Sequence, residues 1–314
     1  MRALLVFNPN ATTTDASVTD VIASALASAV DLEVAPTKQR GHATHLAAGA
    51  VHDRFDAVFA LGGDGTANEV LQALAGTEVR LGIIPGGGAN VLARALGLPN
   101  DAVAATSRLL DHLRLGHERW ITLGRANQRY FGFNAGFGFD AAVVRNVEQH
   151  PERKRRLKQG AFLWSVVDEW VRNRDHDTAV TVRTADGHLH GPFAVTLIGN
   201  ADPYTFLGAR PMRVHPRASF DHGLDIVGVR PVGTGALGRI VWGTFRDGRH
   251  VELDEVAYWH DTDEVTLSAA GPQPLMVDGD YAGEHAAVTF TAVRRALRVV
   301  AAPTAVTESD PHAA

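Results

Sequence analysis

Cysteine is absent from the 314 residues of this chain. Its absence excludes disulfide bonds, thiolate catalysis and cysteine-ligated zinc or iron–sulfur centres. Long apolar runs are also missing, because the most apolar stretch, Ala161–Val167, is too short to span a bilayer. Residues 1–30 contain no basic start followed by an apolar core, so we expect a cytoplasmic protein.

An excess of positive charge is missing too. The 30 lysine and arginine residues against 35 aspartate and glutamate residues give a net charge of −5 with histidine neutral. This mild acidity argues against bulk nucleic-acid binding, and we expect no nucleic-acid partner. A hydrophobic share of 45% and a charged share of 21% are typical of a folded protein, and the length suggests two domains.

The first third of the chain alternates short apolar runs with amphipathic segments. Runs such as Arg2–Phe7 and Ala57–Leu61 predict buried strands, and the segments between such runs predict helices. This alternation predicts a three-layer α/β domain with a parallel sheet over residues 1–119. Such sheets bind ligands where strand ends lead into helix starts.

Predicted strands dominate the chain after Trp120, and the turn signal Asp186-Gly187 lies between two of them. This pattern predicts a mainly antiparallel β domain over residues 120–303, followed by a flexible tail at 304–314. One long helix is predicted at Arg153–Asn173. The predicted strands lie at 120–126, 129–133, 178–184, 189–197, 224–229, 256–259, 265–269 and 287–292.

Two glycine-rich turns follow neighbouring predicted strands. The first spans Gly62–Glu69 and the second Pro85–Asn90, and each opens a predicted helix. Glycine lets a backbone approach a phosphate closely, and a helix start supplies free N–H groups. Asp64 would repel a bare triphosphate, so it fits as the partner of a metal ion or of its waters. The two turns together predict one phosphate-binding crevice.

A purely structural interpretation of the turns stays open. Thr66 and Glu69 have the spacing of a capping box, in which both side chains would serve only their own helix. Neither turn matches GxxxxGK[ST], and neither matches GxGxxG, which disfavours a dinucleotide-dependent dehydrogenase.

The Gly62–Thr66 segment reads Gly-Gly-Asp-Gly-Thr, and together with other motifs it resembles the diacylglycerol kinase catalytic-domain family. The bacterial members of that family are lipid kinases that resemble sphingosine kinases, and NAD kinases share the same motif. The other matching motifs are Asn8-Pro9, Thr37 with Gly41-His42-Ala43, Ile84-Pro85 with Asn90 and Arg94, Gly136-x-Gly138-x-Asp140, Gly199-Asn200 with Tyr204 and Gly208, His215-Pro216-x-Ala218, Asp221–Asp225, and Asp278-Gly279-Asp280.

The resemblance implies an N-terminal α/β nucleotide-binding domain, a C-terminal β-sandwich-like domain and catalysis in the cleft between them. It implies ATP as co-substrate, Mg²⁺ held near Asp64 through water, and transfer of the γ-phosphoryl group to diacylglycerol or a related lipid alcohol. The residues that it assigns to the nucleotide are Asn8, Pro9, Asn10, Ala11, Thr12, Thr37, Gly62, Gly63, Asp64, Gly65, Thr66, Asn68, Glu69, Gly87, Gly88 and Asn90.

Three segments depart from the family's pattern. In the second turn, Gly88 replaces a threonine and Val91 an aspartate, so one hydroxyl contact to phosphate is missing. His222 replaces an aspartate that binds a structural Mg²⁺, and imidazole is a poor ligand for this hard ion, which leaves Asp221 as the acidic residue there. Asp280 replaces a glutamate and is one methylene shorter.

Phosphoryl transfer needs a carboxylate that accepts the proton of the acceptor hydroxyl. The resemblance places this base at Asp278 or Asp280, beside Asp64 as a further catalytic carboxylate, and the residues do not choose between the pair. Composition alone favours another interpretation, in which Asp278-Gly279 is a plain hairpin turn with solvated carboxylates.

A lipid substrate implies that the protein binds it at a membrane surface. The basic run Arg153–Lys158 precedes Trp164 and Trp170, which predicts peripheral docking at the inner membrane, although a solvated charge run before a core-facing helix fits equally well. A homodimer is a further expected partner state. Two other functions stay open, an NAD kinase-like phosphotransferase and a nucleotide- or lipid-binding regulator with weakened catalysis.

Overall fold

The computed structural model describes residues 1–11, 15–138 and 179–303. Thr12, the predicted helix at 153–173 with its basic run, and the predicted tail at 304–314 lie outside the described residues. Within the described residues, no helix combines the length and the apolar character needed to cross a bilayer.

A parallel sheet with helices packed on it forms the N-terminal region. Its strands run in the order β4-β3-β1-β2, and every pairing among them is parallel. The elements are β1 Arg2–Phe7, α1 Ala16–Ala27, β2 Asp31–Pro36, α2 His42–His52, β3 Ala57–Gly62, α3 Asp64–Leu74, β4 Arg80–Pro85, α4 Val91–Ala95 and α5 Ala102–Leu115. Strand β3 is buried along its whole length, as expected for a sheet covered on both faces.

Antiparallel strands make up most of the C-terminal region. The described elements there are β5 Arg119–Ala126, β6 Arg129–Phe131, β7 Asn134–Gly138, β8 Val180–Thr184, β9 Leu189–Phe193, β10 Val195–Gly199, β11 Thr205–Leu207, β12 Arg210–Met212, β13 Leu224–Val229, α6 Thr234–Phe245, a 3₁₀ helix Arg249–Glu252, β14 Val256–Thr262, β15 Glu264–Val277 and β16 Asp280–Val299. Together the two regions confirm the fold class predicted from the sequence.

The last strand, β16, connects the two regions. It pairs antiparallel with β15 and β5, and its final residue, Val299, pairs in parallel with Leu81 of β4. The Val300 N–H then donates to the Leu81 carbonyl oxygen at 2.9 Å, and the Gly76 N–H donates to the Ala296 carbonyl oxygen at 2.7 Å. One continuous sheet therefore runs through both regions.

The turn at Asp186-Gly187 forms as predicted, whereas several other predicted boundaries were wrong. Gly187 has a φ of 86°, and its N–H donates to the Thr184 carbonyl oxygen at 2.9 Å between β8 and β9. The strand predicted at 189–197 is two strands, and those predicted at 265–269 and 287–292 are parts of the much longer β15 and β16.

Helix α6 and strand β7 were not predicted. Glycine at 235, 238 and 243 lowers the helix propensity of the α6 segment, so its apolar spacing alone did not indicate a helix. Strand β7 follows β6 after only two residues, and the sequence gives no turn signal that separates them.

Candidate active site

The two glycine-rich turns lie against each other at the carboxyl ends of β3 and β4. The Gly86 N–H donates to the Gly62 carbonyl oxygen at 2.8 Å. A Cβ atom added to Gly87 would lie 2.7 Å from the Cα atom of Gly63, so any side chain there would push the turns apart. Glycine is therefore needed at Gly87 for the close approach of two backbones.

Helix α3 starts two residues earlier than predicted, and this overturns the capping-box interpretation. Its N-cap is Gly63, so Thr66 lies inside the first turn of the helix. The Glu69 carboxylate accepts hydrogen bonds from the N–H groups of Gly41 at 2.7 Å and Ala43 at 3.0 Å. Glu69 therefore caps the neighbouring helix α2, where it satisfies N–H groups that lack partners within that helix.

A polar cleft of about 350 Å³ opens beside the first turn. Polar and charged side chains dominate its lining, which consists of Asn8, Asn10, Thr37, Lys38, Gln39, Arg40, Gly65, Thr66, Glu69 and Asp280. The loops after β1 and β2 meet there, because the Thr37 N–H donates to the Phe7 carbonyl oxygen at 2.8 Å. The loop after β1 is shaped by the Asn10 N–H, which donates to Asn8 Oδ1 at 2.9 Å.

Six of the residues assigned to the nucleotide line this cleft: Asn8, Asn10, Thr37, Gly65, Thr66 and Glu69. Gly62 and Gly63 form the backbone of the first turn beside it, and Pro9 and Ala11 belong to the loop after β1. Thr12 lies outside the described residues. The N-terminal part of the assignment thus converges on one cleft.

Asn90 and Asn68 use their side chains within the protein. Asn90 Oδ1 accepts from the Gly87 N–H at 2.9 Å, and its Nδ2 donates to Asn100 Oδ1 at 2.7 Å, which holds the second turn in shape. Asn68 Nδ2 donates to Asp278 Oδ2 at 2.8 Å and so links α3 to the C-terminal region. Gly88 is open, because a Cβ atom there would meet no atom within 4 Å.

Asp64 is the first residue of α3, and its side chain contacts the start of α4 and lines a second, largely apolar cavity of about 150 Å³. Its Oδ1 accepts from the Leu92 N–H at 3.1 Å. Burial raises the pKa of Asp64 above its usual range, and the backbone N–H groups at the start of α4 oppose that rise. The cavity is lined by Asp64, Ala89, Val91, Phe133, Asn134, Tyr204, Thr205, Met276, Asp278 and Gly279.

Asp278 occupies the hairpin turn between β15 and β16, but its carboxylate is not solvated. The turn itself is as predicted, since φ is 48° at Asp278 and 81° at Gly279. The side chain is only 4% exposed and accepts four hydrogen bonds. The donors are the N–H groups of Gly132 at 2.7 Å, Phe133 at 3.0 Å and Asn134 at 3.1 Å, and Asn68 Nδ2 at 2.8 Å.

The electrostatics of Asp278 follow from this burial. Desolvation raises the pKa of its carboxyl to about 6, although all four hydrogen bonds favour the charged form. The carboxylate connects α3, the β6–β7 turn and the β15–β16 turn. The interpretation of Asp278 as a solvated turn residue was therefore wrong.

Asp280 faces the polar cleft on the other side of the same turn. Its Oδ2 lies 3.1 Å from Arg40 Nη2 and 3.2 Å from Arg129 Nη2. Arg129 also donates to Asn68 Oδ1 at 3.3 Å, so a chain of hydrogen bonds through Arg129 and Asn68 links Asp280 to Asp278. The two carboxylates, two residues apart in the chain, therefore have opposite surroundings.

Lys38, Arg40 and Arg129 were missed by the sequence analysis. Lys38 and Arg40 follow β2 directly, and the end of β2 opens on the same sheet edge as the ends of β1 and β3. Their position at this edge of the sheet could have identified Lys38 and Arg40 as candidate binding residues. Arg129 lies 151 residues from Asp280, and no local pattern connects them.

Asp64 and Asp221 differ in how well they suit a magnesium ion. In the described part of the chain, no group of three or more histidine, aspartate or glutamate side chains could hold a metal. Mg²⁺ that is bound mainly by phosphate oxygens and water needs only one or two carboxylates, so Asp64 fits that ion. Asp221 does not fit a structural Mg²⁺, because Arg119 Nη1 lies 3.7 Å from its Oδ2 and its neighbour is the imidazole of His222.

Two family models match consecutive parts of the chain. Residues 2–125 match the diacylglycerol kinase catalytic domain, and residues 134–301 match the YegS C-terminal NAD kinase beta sandwich-like domain. A diacylglycerol kinase from Staphylococcus aureus (strain bovine RF122) is 30% identical over 253 residues, which cover 79% of this chain and 75% of that protein.

Solved structures with the same architecture include a diacylglycerol kinase from Bacillus anthracis, with a TM-score of 0.74 and 23% identity. That match covers 96% of this chain and 97% of the other. An NAD kinase from Archaeoglobus fulgidus in complex with ATP is more distant, with a TM-score of 0.51 and 13% identity over 96% of this chain and 93% of the other. At these identities, both structures bear on the fold alone.

Proposed function

The chain belongs to the diacylglycerol kinase catalytic-domain family, and from that premise we propose that it is an ATP-dependent lipid kinase. It transfers the γ-phosphoryl group to the hydroxyl of diacylglycerol or a related lipid alcohol. The observation that carries the proposal is the pair of cavities beside the Asp278–Asp280 turn, one polar and next to the glycine-rich turns, the other largely apolar.

The polar cleft takes the nucleotide in this proposal. The start of α3 directs free N–H groups and the positive end of the helix dipole toward the phosphates. Lys38 and Arg40 line the same cleft and supply positive charge. Asp64 would hold the Mg²⁺ carried by the nucleotide through water, and that ion would supply neutralisation of charge on the transferring phosphoryl group.

Asp280 is the proton acceptor in this proposal, and Asp278 is a positioning residue. Four protein groups already donate hydrogen bonds to the buried Asp278 carboxylate, which holds it in a structural role. Asp280 instead lines the cleft that takes the nucleotide. Arg40 and Arg129 hold the Asp280 carboxylate in place. Kinases use a carboxylate in this way to accept the hydroxyl proton.

The apolar cavity takes the acceptor lipid near its hydroxyl group. Phe133, Tyr204 and Met276 give it an apolar wall, and Asp64 and Asp278 supply its charged end. Docking at the inner membrane surface and a homodimer stay predictions from the sequence and its resemblance.

Incubation of the purified chain with γ-labelled ATP, Mg²⁺ and a panel of lipid alcohols, with NAD as a control acceptor, tests the proposal. We expect the label in a lipid phosphate. Label in NADP would replace the lipid kinase with an NAD kinase-like enzyme. Nucleotide binding without transfer to any acceptor would contradict the kinase proposal and support the regulator.

A further inference from the structure

Helix α6 has one face packed on the sheet and another exposed to solvent. Leu237 and Ile240 are buried on the inner face. Arg239 and Trp242, three residues apart, are exposed on the other face, and Arg246 is exposed one residue beyond the end of the helix. Trp242 is 63% exposed, so this face of α6 presents a large aromatic ring to solvent.

A hollow of about 340 Å³ lies beside this face of α6. Its lining contains Arg239, Trp242, Arg246 and Arg249, and it also contains one carboxylate, that of Asp247. Arg239 Nη2 forms an ion pair with Glu255 Oε1 at 2.8 Å. The structure records no ion pair from Arg246 or Arg249 to any described residue, so two guanidinium groups at the hollow are free to bind an external anion.

The inner face of α6 belongs to the same packed cluster as Tyr204 and Met276. Those two residues also line the apolar cavity that takes the acceptor lipid in the proposed function. The buried face of α6 and a wall of that cavity therefore belong to one hydrophobic cluster.

We propose that Arg239, Trp242, Arg246 and Arg249, called the α6 surface, dock the protein onto an anionic phospholipid bilayer. Guanidinium groups bind phosphate through paired N–H donors, and the hollow gives a headgroup phosphate a place among them. Tryptophan is enriched at membrane–water interfaces, because its ring is largely apolar and its N–H is polar. The proposal rests on the lipid kinase function for its purpose, since a lipid substrate lies in a bilayer.

Co-sedimentation with vesicles, in the absence of ATP, tests the α6 surface. The vesicles contain phosphatidylcholine alone or phosphatidylcholine with phosphatidylglycerol. The wild type should prefer the anionic vesicles and lose binding as salt is added. The double variant Arg246→Gln/Arg249→Gln should bind them roughly thirtyfold more weakly, from about 1 kcal/mol per basic residue near the surface. Trp242→Ala should also bind more weakly.

Matched controls separate the α6 surface from net charge. Arg54→Gln/Arg108→Gln removes two exposed arginines from the N-terminal region, and Leu115→Ala removes an equally exposed apolar side chain. Both controls should bind vesicles like the wild type, and all variants should keep its melting temperature. Wild-type binding by the α6 variants, or no preference of the wild type for anionic vesicles, would overturn the proposal and leave the basic run at 153–158 as the candidate.

A second assay makes failure of the docking proposal distinguishable from failure of the kinase proposal. Phosphorylation of diacylglycerol in neutral detergent micelles involves no anionic bilayer, so the α6 variants should retain wild-type rates there. If the wild type phosphorylates nothing in micelles and the α6 variants still lose vesicle binding, the kinase proposal fails and the docking surface stands. If micelle rates fall together with vesicle binding, the α6 residues act in the fold or the chemistry, and the docking role is rejected.

Discussion

The polar cleft and the apolar cavity lie on the two sides of one hairpin turn, and they differ in what they offer a ligand. Asp280 on the cleft side is held by two arginine side chains, which leave it beside a space large enough for a phosphate chain. Asp278 on the cavity side is held by three backbone N–H groups and one asparagine.

This difference indicates that the two neighbouring carboxylates have different roles. Side-chain partners such as Arg40 can move when a ligand arrives, whereas the backbone donors around Asp278 are fixed by the β6–β7 turn. We therefore expect substitutions on the cleft side to change rates and those at Asp278 to change stability first. Five predictions test this comparison.

Asp280→Asn should have the largest effect, a fall in kcat of about a thousandfold. An amide cannot accept the hydroxyl proton, but it keeps the size of the side chain. The melting temperature should stay within about 2 °C of the wild type, because Asp280 is partly exposed. Steady-state kinetics with thermal melting check both parts, and full activity of this variant would remove Asp280 from the mechanism.

Asp278→Asn should lower the free energy of unfolding by about 3 kcal/mol. The new amide nitrogen would face two N–H donors, each left without an acceptor in a buried site. Chemical denaturation measures the loss, with Asp186→Asn, in the exposed β8–β9 turn, as the control. If Asp278→Asn keeps wild-type stability and loses only kcat, the two carboxylates have been assigned the wrong way round.

The pH dependence of the free energy of unfolding also tests the role of Asp278 in stability. Burial raises the pKa of Asp278 in the folded state to about 6 from its ordinary value of 3.8. Between those values the folded state binds more protons than the unfolded state, so this group's contribution to stability falls as pH rises from about 4 to 6. The difference in unfolding free energy between wild type and Asp278→Asn should therefore shrink over that range. An increase over the same range would contradict the raised pKa.

Arg40→Gln should raise the KM for ATP about tenfold, because one positive charge leaves the polar cleft. Arg54→Gln removes an exposed arginine from the same region without touching the cleft and should leave the KM unchanged. An unchanged KM in Arg40→Gln would place the nucleotide phosphates elsewhere.

Gly88→Thr should have the smallest effect, a fall of about threefold in the KM for ATP. The site is open, and the threonine would restore the hydroxyl that the family pattern has there. Gly88→Val adds a side chain of the same shape without the hydroxyl and should not lower the KM. Equal values for both variants would show that the hydroxyl makes no contact.

Much of the fold could be predicted because its strands are unbroken apolar runs. Strands β1 and β3 are buried nearly throughout, and a buried parallel strand has a pattern that is hard to mistake. Strand β16 was largely missed, because many of its residues are half-exposed and carry charge. Helix α6 was missed because its glycine residues lower the helix propensity of the segment.

The site could be predicted only in part, for a different physical reason. The glycine-rich turns are local patterns, and their location beside each other follows from the order of β3 and β4. The burial of Asp278 depends on N–H groups 144 to 146 residues away, which no local pattern reveals. Glu69 matched a local capping pattern, yet its partners belong to another helix.

Strand β16 begins at the Asp278–Asp280 turn and ends in the N-terminal sheet, so its length fixes the distance between them. One residue inserted into its middle would shift Asp280 by about 3.3 Å relative to Val299 and turn its side chain to the opposite face. The number of residues from Asp280 to Val299 therefore sets where Asp280 lies relative to the N-terminal sheet.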